Sequence, residues 1–143
     1  MDSKAPFDLR GLHVLIVDDD ADASDLLATM LNSYGAEVTS ASSARAALAW
    51  LKRRHPDLII SDLGMPREDG LWFIRQVRGW SSSVRTIPAV ALTGFDGLRH
   101  EAEAAGFNAY MVKPFQLATF SEALKHLGFS IDQGSSEGLR RTA

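Results

Sequence analysis

The sequence predicts an α/β fold in which a doubly wound, five-stranded parallel sheet carries five helices on its two faces. Two observations lead to this prediction. Short runs of consecutive apolar residues recur along the chain, as is typical of strands that are buried on both faces. Segments with apolar residues at helical spacing lie between these runs, and a regular alternation of strands and helices favours a parallel sheet.

The strands are predicted from the apolar runs themselves. Four of the runs are apolar at consecutive positions, and a fifth, weaker run completes the alternation. In chain order the predicted strands cover residues 14–17, 37–41, 58–60, 89–92 and 109–112.

The first two helices have clear ends in the sequence. Apolar side chains from Leu26 to Tyr34 repeat every 3.6 residues, and Gly35 is expected to end this helix. The second helix follows Ser42 and Ser43, which are both candidate N-caps, and it ends before Pro56.

The remaining helices are predicted from similar patterns. Apolar stripes over residues 71–77 and 117–127 indicate the third and the fifth helix. A weaker, alanine-rich helix is predicted over residues 97–105, with Asp96 as its N-cap and Gly106 at its end.

Composition narrows the class of protein. A length of 143 residues fits one ordinary domain, and the net charge of −3 gives no general attraction to nucleic acid or to an anionic membrane. No apolar run approaches the ~20 residues of a membrane span, and the N-terminal residues lack the apolar stretch of a signal peptide. The absence of Cys fits a reducing compartment. We therefore expect a cytoplasmic protein that binds neither nucleic acid nor membrane directly.

Polar side chains stand at the ends of four predicted strands. Asp18 and Asp19 follow the first strand, Asp62 the third, Thr93 the fourth and Lys113 the fifth. Because the carboxyl ends of parallel strands meet at one edge of a sheet, we expect these groups to lie together. Clustered carboxylates repel one another, and a hard divalent cation such as Mg²⁺ is the natural way to stabilise them. The ammonium and hydroxyl groups opposite them would complete a pocket for a phosphoryl group.

The motifs at these positions resemble the receiver domain of two-component response regulators. The stretch VLIVDDDADASDLL resembles the first strand, acidic pair and first helix of receivers, SDLGMPREDG their phospho-acceptor segment, and ALTG and YMVKPF their last two strand ends. The resemblance covers residues 11–128. It implies a flavodoxin-like receiver domain over that range, with the strand order 2-1-3-4-5, an N-terminal extension over residues 1–10 and a flexible C-terminal tail or linker over residues 129–143.

The resemblance also implies chemical roles. Asp62 would accept the phosphoryl group from a phosphohistidine on a histidine kinase or a histidine phosphotransfer protein. Asp18, Asp19 and Asp62, with the backbone carbonyl of Gly64, would hold Mg²⁺ or Mn²⁺. Lys113 would pair with the phosphoryl oxygens. The chain would then be a signalling switch rather than an enzyme, since it would catalyse only its own phosphorylation and dephosphorylation.

Signalling requires a second conformational state. The resemblance implies that Thr93 moves toward the phosphoryl group and that Tyr110 fills the space that it leaves. The surface formed by the fourth helix, the fifth strand and the fifth helix would carry the output to a partner that the sequence does not identify, and homodimer formation on phosphorylation is left open. The resemblance further implies a cis peptide bond before Pro114, which would aim Lys113 at the site.

Other interpretations of the acidic cluster are weaker. Asp18, Asp20 and Asp22 match the start of an EF-hand loop, but Ala23 and Thr29 stand where that loop needs Gly and Glu. The same string resembles aspartyl-phosphate phosphatases of the haloacid dehalogenase type, which usually have Thr or Val at the position of Asp22 and a longer chain. N-capping of the first helix explains Asp20 and Asp22, but it does not explain acidic and basic residues at other strand ends.

Two questions of context are left open by the sequence. The first is whether the domain is a stand-alone regulator or the receiver of a hybrid histidine kinase or multidomain regulator. The second is whether it is instead an interaction module that no longer takes phosphate. Trp72 and Phe95 are candidates for exposed partner contacts. The four histidines have no metal-ligand spacing and are expected at the surface or at edges of the fold.

Overall fold

The structure is a computed structural model that describes residues 8–130 and, as strand backbone only, residues 140–141. Its main sheet has five parallel strands in the order β2-β1-β3-β4-β5, which confirms the predicted topology. The strands are β1 His13–Val17, β2 Glu37–Ala41, β3 Leu58–Ser61, β4 Ala89–Thr93 and β5 Ala109–Val112. The helices are α1 Ala21–Ser33, α2 Ala44–Leu51, α3 Gly70–Arg78, α4 Arg99–Ala105 and α5 Leu117–His126, with a 3₁₀ helix at Ser83–Thr86.

The sheet separates two apolar cores because successive side chains of a strand point to opposite faces. On β1, Leu15 and Val17 pack in the core that contains the apolar faces of α2, α3 and α4. Val14 and Ile16 of the same strand pack in the core that contains those of α1 and α5. All residues of β3 and β4 are buried, as the continuous apolar runs predict.

The N-terminal caps of α1 and α2 are local. The Asp20 carboxylate accepts hydrogen bonds from the backbone N–H groups of Asp22 and Ala23, and the Ser43 hydroxyl accepts one from Ala46 N–H. Asp20 therefore caps α1, whereas Asp22 lies within its first turn and is not the cap. This helix occupies the residues that an EF-hand loop would need, so the EF-hand interpretation is wrong.

The predicted start of α4 is also wrong. The helix begins at Arg99, Leu98 occupies the N-cap position without a side-chain hydrogen bond, and Asp96 lies in the turn before it. The reason is that the N–H groups of Gly97 and Leu98 are bonded to the Tyr110 hydroxyl rather than placed in a helical turn. At the other end Gly106, with φ 130°, stops the helix as predicted.

Two apolar residues just outside residues 11–128 pack in the core. Leu9, with 0% exposure, and Phe129, with 5%, both contact the α1 and α5 side of the sheet. Phe129–Ser130 form a short strand, β6, that pairs in antiparallel fashion with β7, Arg140–Arg141. The rest of the predicted extension and tail, residues 1–7, 131–139 and 142–143, lies outside the described residues.

Helix length and apolarity bear on membrane insertion. In the part of the chain that the structure describes, every helix is too short or too polar to cross a bilayer.

Candidate functional site

The strand order brings four chain segments to one edge of the sheet. Asp18 directly follows β1 and Asp62 directly follows β3, and the register that pairs Val17 with Ser61 sets the two aspartates side by side. Asp62 N–H donates to Val17 O at 2.9 Å, and Lys113 N–H donates to the last carbonyl of β4 at 2.7 Å. The backbone ladder of the sheet thus continues for one residue into the site and fixes where these side chains begin.

Three carboxylates meet at this edge. One ligand oxygen each from Asp18, Asp19 and Asp62 lies within 4.8 Å of the others. Asp18 is buried, Asp62 half-buried and Asp19 exposed, so the cluster opens to solvent on one side. Burial raises the pKa of the Asp18 carboxyl, and the Asp20 N–H group and the Lys113 ammonium oppose this shift only in part. The folded chain therefore holds negative charge at a position that disfavours it.

Lys113 supplies the opposite charge. Its Nζ lies 3.2 Å from Asp18 Oδ2 and 3.5 Å from Asp62 Oδ2. Burial lowers the pKa of this ammonium group, but the charges of Asp62 and Asp18 outweigh burial and the net shift is upward, so the group stays protonated. The peptide bond between Lys113 and Pro114 is cis.

The Asp62 carboxylate is bonded to the loop after β3, and the Asp62 backbone carbonyl is bonded to the last residue of β3. Gly64 N–H donates to Asp62 Oδ1 at 3.2 Å, and the Ser61 hydroxyl donates to the Asp62 carbonyl at 2.8 Å. Gly64 is exposed beside the carboxylate, and its carbonyl remains a predicted ligand. The loop returns so closely that a Cβ on Gly70 would lie 2.2 Å from the Asp62 carbonyl oxygen.

No sequence pattern predicts that Gly70 packs against the Asp62 carbonyl, because the close approach of two backbone segments leaves no spacing pattern. Asp20 was predicted only as a helix cap. Its N–H group also donates to Asp18 Oδ1 at 2.9 Å, so the start of α1 orients a carboxylate of the site. The Asx pattern D-x-D would have indicated this bond.

Thr93 and Tyr110 meet through the loop of residues 94–98 rather than directly. Thr93 is buried, and its Oγ1 accepts a hydrogen bond from Phe95 N–H at 3.3 Å. The Tyr110 hydroxyl donates to Phe95 O at 2.7 Å and accepts from the N–H groups of Gly97 and Leu98 at 3.4 and 3.2 Å. The guanidinium of Arg99 lies 5.0 Å from the centre of the Tyr110 ring. The structure therefore links the two predicted switch residues by one short backbone segment.

The other predicted surface residues divide into two groups. Phe95 is 62% exposed, whereas Trp72 is half-buried and packs on the core of α2 and α3. His13 is half-buried at the start of β1, an inner strand of the sheet, and the remaining three histidines are exposed: His55, His100 and His126.

A doubly wound parallel sheet in this strand order, with an acidic pocket and a lysine at its carboxyl edge, is the architecture of chemotaxis-type receiver domains. The chain belongs to the response regulator receiver domain family, whose family model matches residues 14–125. Membership of this family excludes the phosphatase interpretation of the acidic string.

Two curated relatives illustrate the range of the family. The chain is 44% identical over 108 residues to an uncharacterized 14.6 kDa protein in the sodA1 3′ region of Leptolyngbya boryana, with 74% of this chain and 82% of that protein covered. It is 37% identical over 108 residues to the virulence transcriptional regulatory protein PhoP of Salmonella typhimurium. That match covers 74% of this chain and 47% of PhoP, so the chain spans about half the length of that relative.

Solved structures show the same fold. The chemotaxis protein CheY4 of Vibrio cholerae superposes with a TM-score of 0.74 at 32% identity, covering 80% of this chain and 97% of that one. The response regulator TrrA of Thermotoga maritima, solved in complex with Mg²⁺ and BeF, gives a TM-score of 0.72 at 27% identity, with the same coverage of 80% and 97%.

Proposed function

We propose that this receiver domain takes a phosphoryl group from a phosphohistidine onto Asp62 and thereby changes its interaction with an output partner. The observation that carries this function is the position of the Lys113 ammonium within salt-bridge distance of both Asp18 and Asp62. A cation fixed beside a partly exposed carboxylate can neutralise the oxygens of a phosphoryl group that is joined to that carboxylate. Family membership supports the same chemistry.

The transfer would be a displacement at phosphorus. A carboxylate oxygen of Asp62 forms the new P–O bond, the P–N bond of the phosphohistidine breaks, and the imidazole nitrogen leaves with the electron pair. The Lys113 ammonium would pair with the phosphoryl oxygens during the transfer, and the Thr93 hydroxyl would donate a hydrogen bond to one of them. Positioning and charge neutralisation are the main sources of acceleration in phosphoryl transfer, and both are contributions that these residues can make.

The donor set fits a divalent cation. Asp18, Asp19 and Asp62 offer oxygen ligands within 4.8 Å of one another, and oxygen ligands are those that Mg²⁺ and Mn²⁺ prefer. We propose that these carboxylates and the Gly64 carbonyl hold the ion. When bound, it would supply further neutralisation of charge on the transferring phosphoryl group.

A groove beside the carboxylates suits the approach of a protein donor. Asp18 and Lys113 line it on the pocket side, and apolar side chains of α1 and of the segment after β5 line the rest. Leu26 of α1 is 66% exposed there. A histidine kinase or a histidine phosphotransfer protein could cover this apolar surface while its phosphohistidine faces Asp62.

The loop of residues 94–98 would couple phosphorylation of Asp62 to the output surface. Because Thr93 and Tyr110 both bond to Phe95, movement of Thr93 toward a phosphoryl group would disturb the bonds that hold the Tyr110 hydroxyl. Tyr110 lies between α4 and the sheet, so the surface of α4, β5 and α5 is the proposed output surface. Its partner and any phosphorylation-dependent homodimer would be recognised there.

The proposed chemistry fits two settings equally well. A free-standing regulator and the receiver of a hybrid kinase or multidomain regulator need the same pocket. Because the absence of Cys fits a reducing compartment, the proposed location is the cytoplasm. A receiver that has lost phosphorylation is the competing function, and the following experiment separates the two.

The test uses acetyl phosphate with Mg²⁺ and intact-protein mass spectrometry. We expect one phosphoryl adduct on the unchanged chain and none on Asp62→Asn, and chelation of the cation should abolish the adduct. Asp25→Asn, which removes an exposed carboxylate of α1 outside the pocket, is the matched control and should be modified like the parent. An adduct that persists in Asp62→Asn, or its absence from the parent chain, would reject the proposed acceptor.

A further inference from the structure

The surface formed by α2, the turn after it and α3 is basic, although the chain has a net charge of −3. Residues 44–56 contain four Lys or Arg and residues 70–78 contain two, and neither range contains an Asp or Glu, while Glu68 and Asp69 directly precede α3. These ranges include the two helices that pack side by side on one face of the sheet. We call this surface the α2–α3 face. Its charge differs in sign from that of the carboxylate cluster and α1.

A groove with a mixed apolar and polar lining lies in the α2–α3 face. The groove has a volume of about 300 Å³ and runs between the two helices. Leu48 of α2, Trp72 of α3 and Trp80 beyond the end of α3 supply its apolar lining, while Arg45 and Lys52 stand on the α2 side. Both tryptophans are half-buried and pack on the core, so they are held in place while part of each ring faces the groove.

The cations of this face are largely unneutralised. Within residues 8–130, no carboxylate forms a salt bridge with Lys52, Arg53 or Arg54, and all three residues are exposed. Arg45 has one partner, Glu68, at 3.2 Å, and its guanidinium lies 5.2 Å from the centre of the Trp72 ring. Fixed aromatic surface next to exposed, unpaired cations is a combination typical of interaction sites rather than of a solvated surface.

The face is separate from the proposed phosphoryl pocket and output surface. The groove is lined by residues from α2, α3 and the segment after α3, and none of them belongs to the carboxylate cluster, α4, β5 or α5. An interaction there leaves the approach to Asp62 open. A bound partner could therefore remain attached while the phosphoryl group is gained and lost.

We propose that the α2–α3 face docks an acidic amphipathic helix of a partner protein. Apolar side chains of that helix fill the groove against Trp72 and Trp80, and its Asp or Glu residues face Arg45, Lys52 and the turn after α2. Charge complementarity is the argument for this occupant, because exposed cations beside the two tryptophan rings favour anionic groups that flank an apolar anchor. This interaction goes beyond the proposed phosphoryl transfer and does not depend on it.

A second copy of the chain is a poorer occupant. Its acidic α1, with Leu26 exposed, would have to pack on the α2–α3 face of its neighbour. That contact is head-to-tail and would repeat without closing unless the rotation happened to form a ring. Two copies that each carry a net charge of −3 also repel one another at long range.

The test uses a synthetic amphipathic helical peptide, about four turns long, with Leu on one face and Glu on the other, titrated into the isotopically labelled full chain. We expect amide chemical-shift changes in α2, α3 and the turn after α2. Lys52→Glu should weaken binding roughly tenfold, since it reverses a charge at the rim. Lys125→Glu, an exposed lysine of α5, is the matched control and should leave the affinity within about twofold.

Three results would overturn the proposal. In the first, the peptide leaves the amide chemical shifts of α2 and α3 unchanged. In the second, it changes those of the residues that line the groove beside α1 instead. In the third, a peptide with Lys in place of Glu binds equally well. Vesicles of phosphatidylserine and phosphatidylcholine, and the sedimentation of the chain alone, test the other occupants. Lys52-dependent vesicle binding without peptide binding would assign the face to a lipid surface, and Lys52-dependent self-association would assign it to a second copy.

Discussion

The carboxyl group of Asp18 links the fold to the proposed chemistry. It follows a fully buried stretch of β1, keeps only 7% of its surface exposed and accepts a hydrogen bond from Asp20 N–H. Burial raises its pKa above the ordinary value of 3.8 even though Lys113 lies 3.2 Å away. The ionised form is therefore less favourable in the folded chain than in the unfolded one. A site built in this way is stabilised when positive charge is added.

The first prediction concerns stability and pH without a divalent cation. Because the pKa of Asp18 is raised on folding, the folded chain binds more protons than the unfolded chain in the window above 3.8, and the free energy of unfolding falls as pH rises through that window. Asp18→Asn removes this contribution. In chelator we expect Asp18→Asn to be more stable than the parent at neutral pH, with the difference shrinking below a pH of about 4.

Urea unfolding over a pH series measures this difference, and Asp25→Asn serves as the control because its carboxyl group is exposed outside the pocket. A parent chain that is more stable than Asp18→Asn at neutral pH would mean that attraction to Lys113 outweighs burial.

The second prediction concerns added Mg²⁺. A ligand that binds only the folded state stabilises it by RT ln(1 + [L]/Kd), or about 2.7 kcal/mol at a hundredfold excess over Kd. The parent should therefore gain thermal stability in Mg²⁺, and Asp18→Asn should lose most of that gain. Thermal unfolding with and without Mg²⁺ gives the comparison. An equal rise in melting temperature in the two proteins would show that the ion stabilises the chain somewhere else.

The third prediction concerns the Tyr110 hydroxyl. Tyr110→Phe keeps the ring in the core but removes one donor and one acceptor for the loop of residues 94–98. We expect faster hydrogen exchange at the amides of Gly97 and Leu98 and a stability loss of about 1 kcal/mol. The Gly106 amide, which bonds to Ala102 within α4, is the internal control. Unchanged exchange at Gly97 and Leu98 would mean that the hydroxyl does not hold this loop.

At the scale of the elements, helix starts could be predicted where their causes are local. Asp20 and Ser43 cap α1 and α2 through bonds that span only two or three residues, and such bonds leave a pattern in the sequence. The start of α4 depends instead on Tyr110, which is contributed by the next strand. The same limit applies to the site. Strand ends predicted which residues gather, whereas the close return of Gly70 to Asp62 could only be seen in three dimensions.

The side chain of Arg78 joins three elements by hydrogen bonds that no sequence motif predicts. From the end of α3, its guanidinium donates to the carbonyls of Gly106, Arg85 and Ile87 and to the side-chain oxygen of Asn108. These bonds tie α3 to the 3₁₀ helix, to the entry of β4 and to the turn before β5. Burial lowers the pKa of the guanidinium, and several carbonyl oxygens rather than a carboxylate satisfy its donors.

The fourth prediction follows from these bonds. Arg78→Ala leaves several carbonyl oxygens without their partner, and we expect a loss of about 2–4 kcal/mol in the free energy of unfolding. Arg75→Ala, on the exposed side of the same helix, should change it by less than about 0.5 kcal/mol. Urea unfolding of both variants measures the difference. Similar values for the two arginines would show that the Arg78 bonds contribute no net stability.

At the scale of the whole molecule, the parallel sheet and the position of the site could be predicted from the alternation of strands and helices, because a parallel sheet must be covered on both faces. The strand order was implied by the family resemblance. The first and last residues of the folded domain are harder to predict, since a single apolar residue beyond the last clear element gives no periodic signal. Leu9 and Phe129 are such residues. Both are buried in the core on the α1 and α5 side, outside residues 14–125 that match the family model.

The last prediction tests whether these two residues belong to the folding unit. Leu9→Ala and Phe129→Ala each remove a buried side chain, so we expect each to cost about 2–4 kcal/mol of the free energy of unfolding. Leu26→Ala, which truncates a leucine that is 66% exposed, should cost less than about 0.5 kcal/mol.

A chain shortened to residues 14–125 lacks both core residues and Leu12, and it should unfold at a lower temperature than residues 8–130. Because folding free energies of single domains are only about 5–15 kcal/mol, losing all three contacts should leave the shortened chain partly unfolded at 37 °C. Equal melting temperatures for the two lengths would mean that the family core folds without its flanking residues.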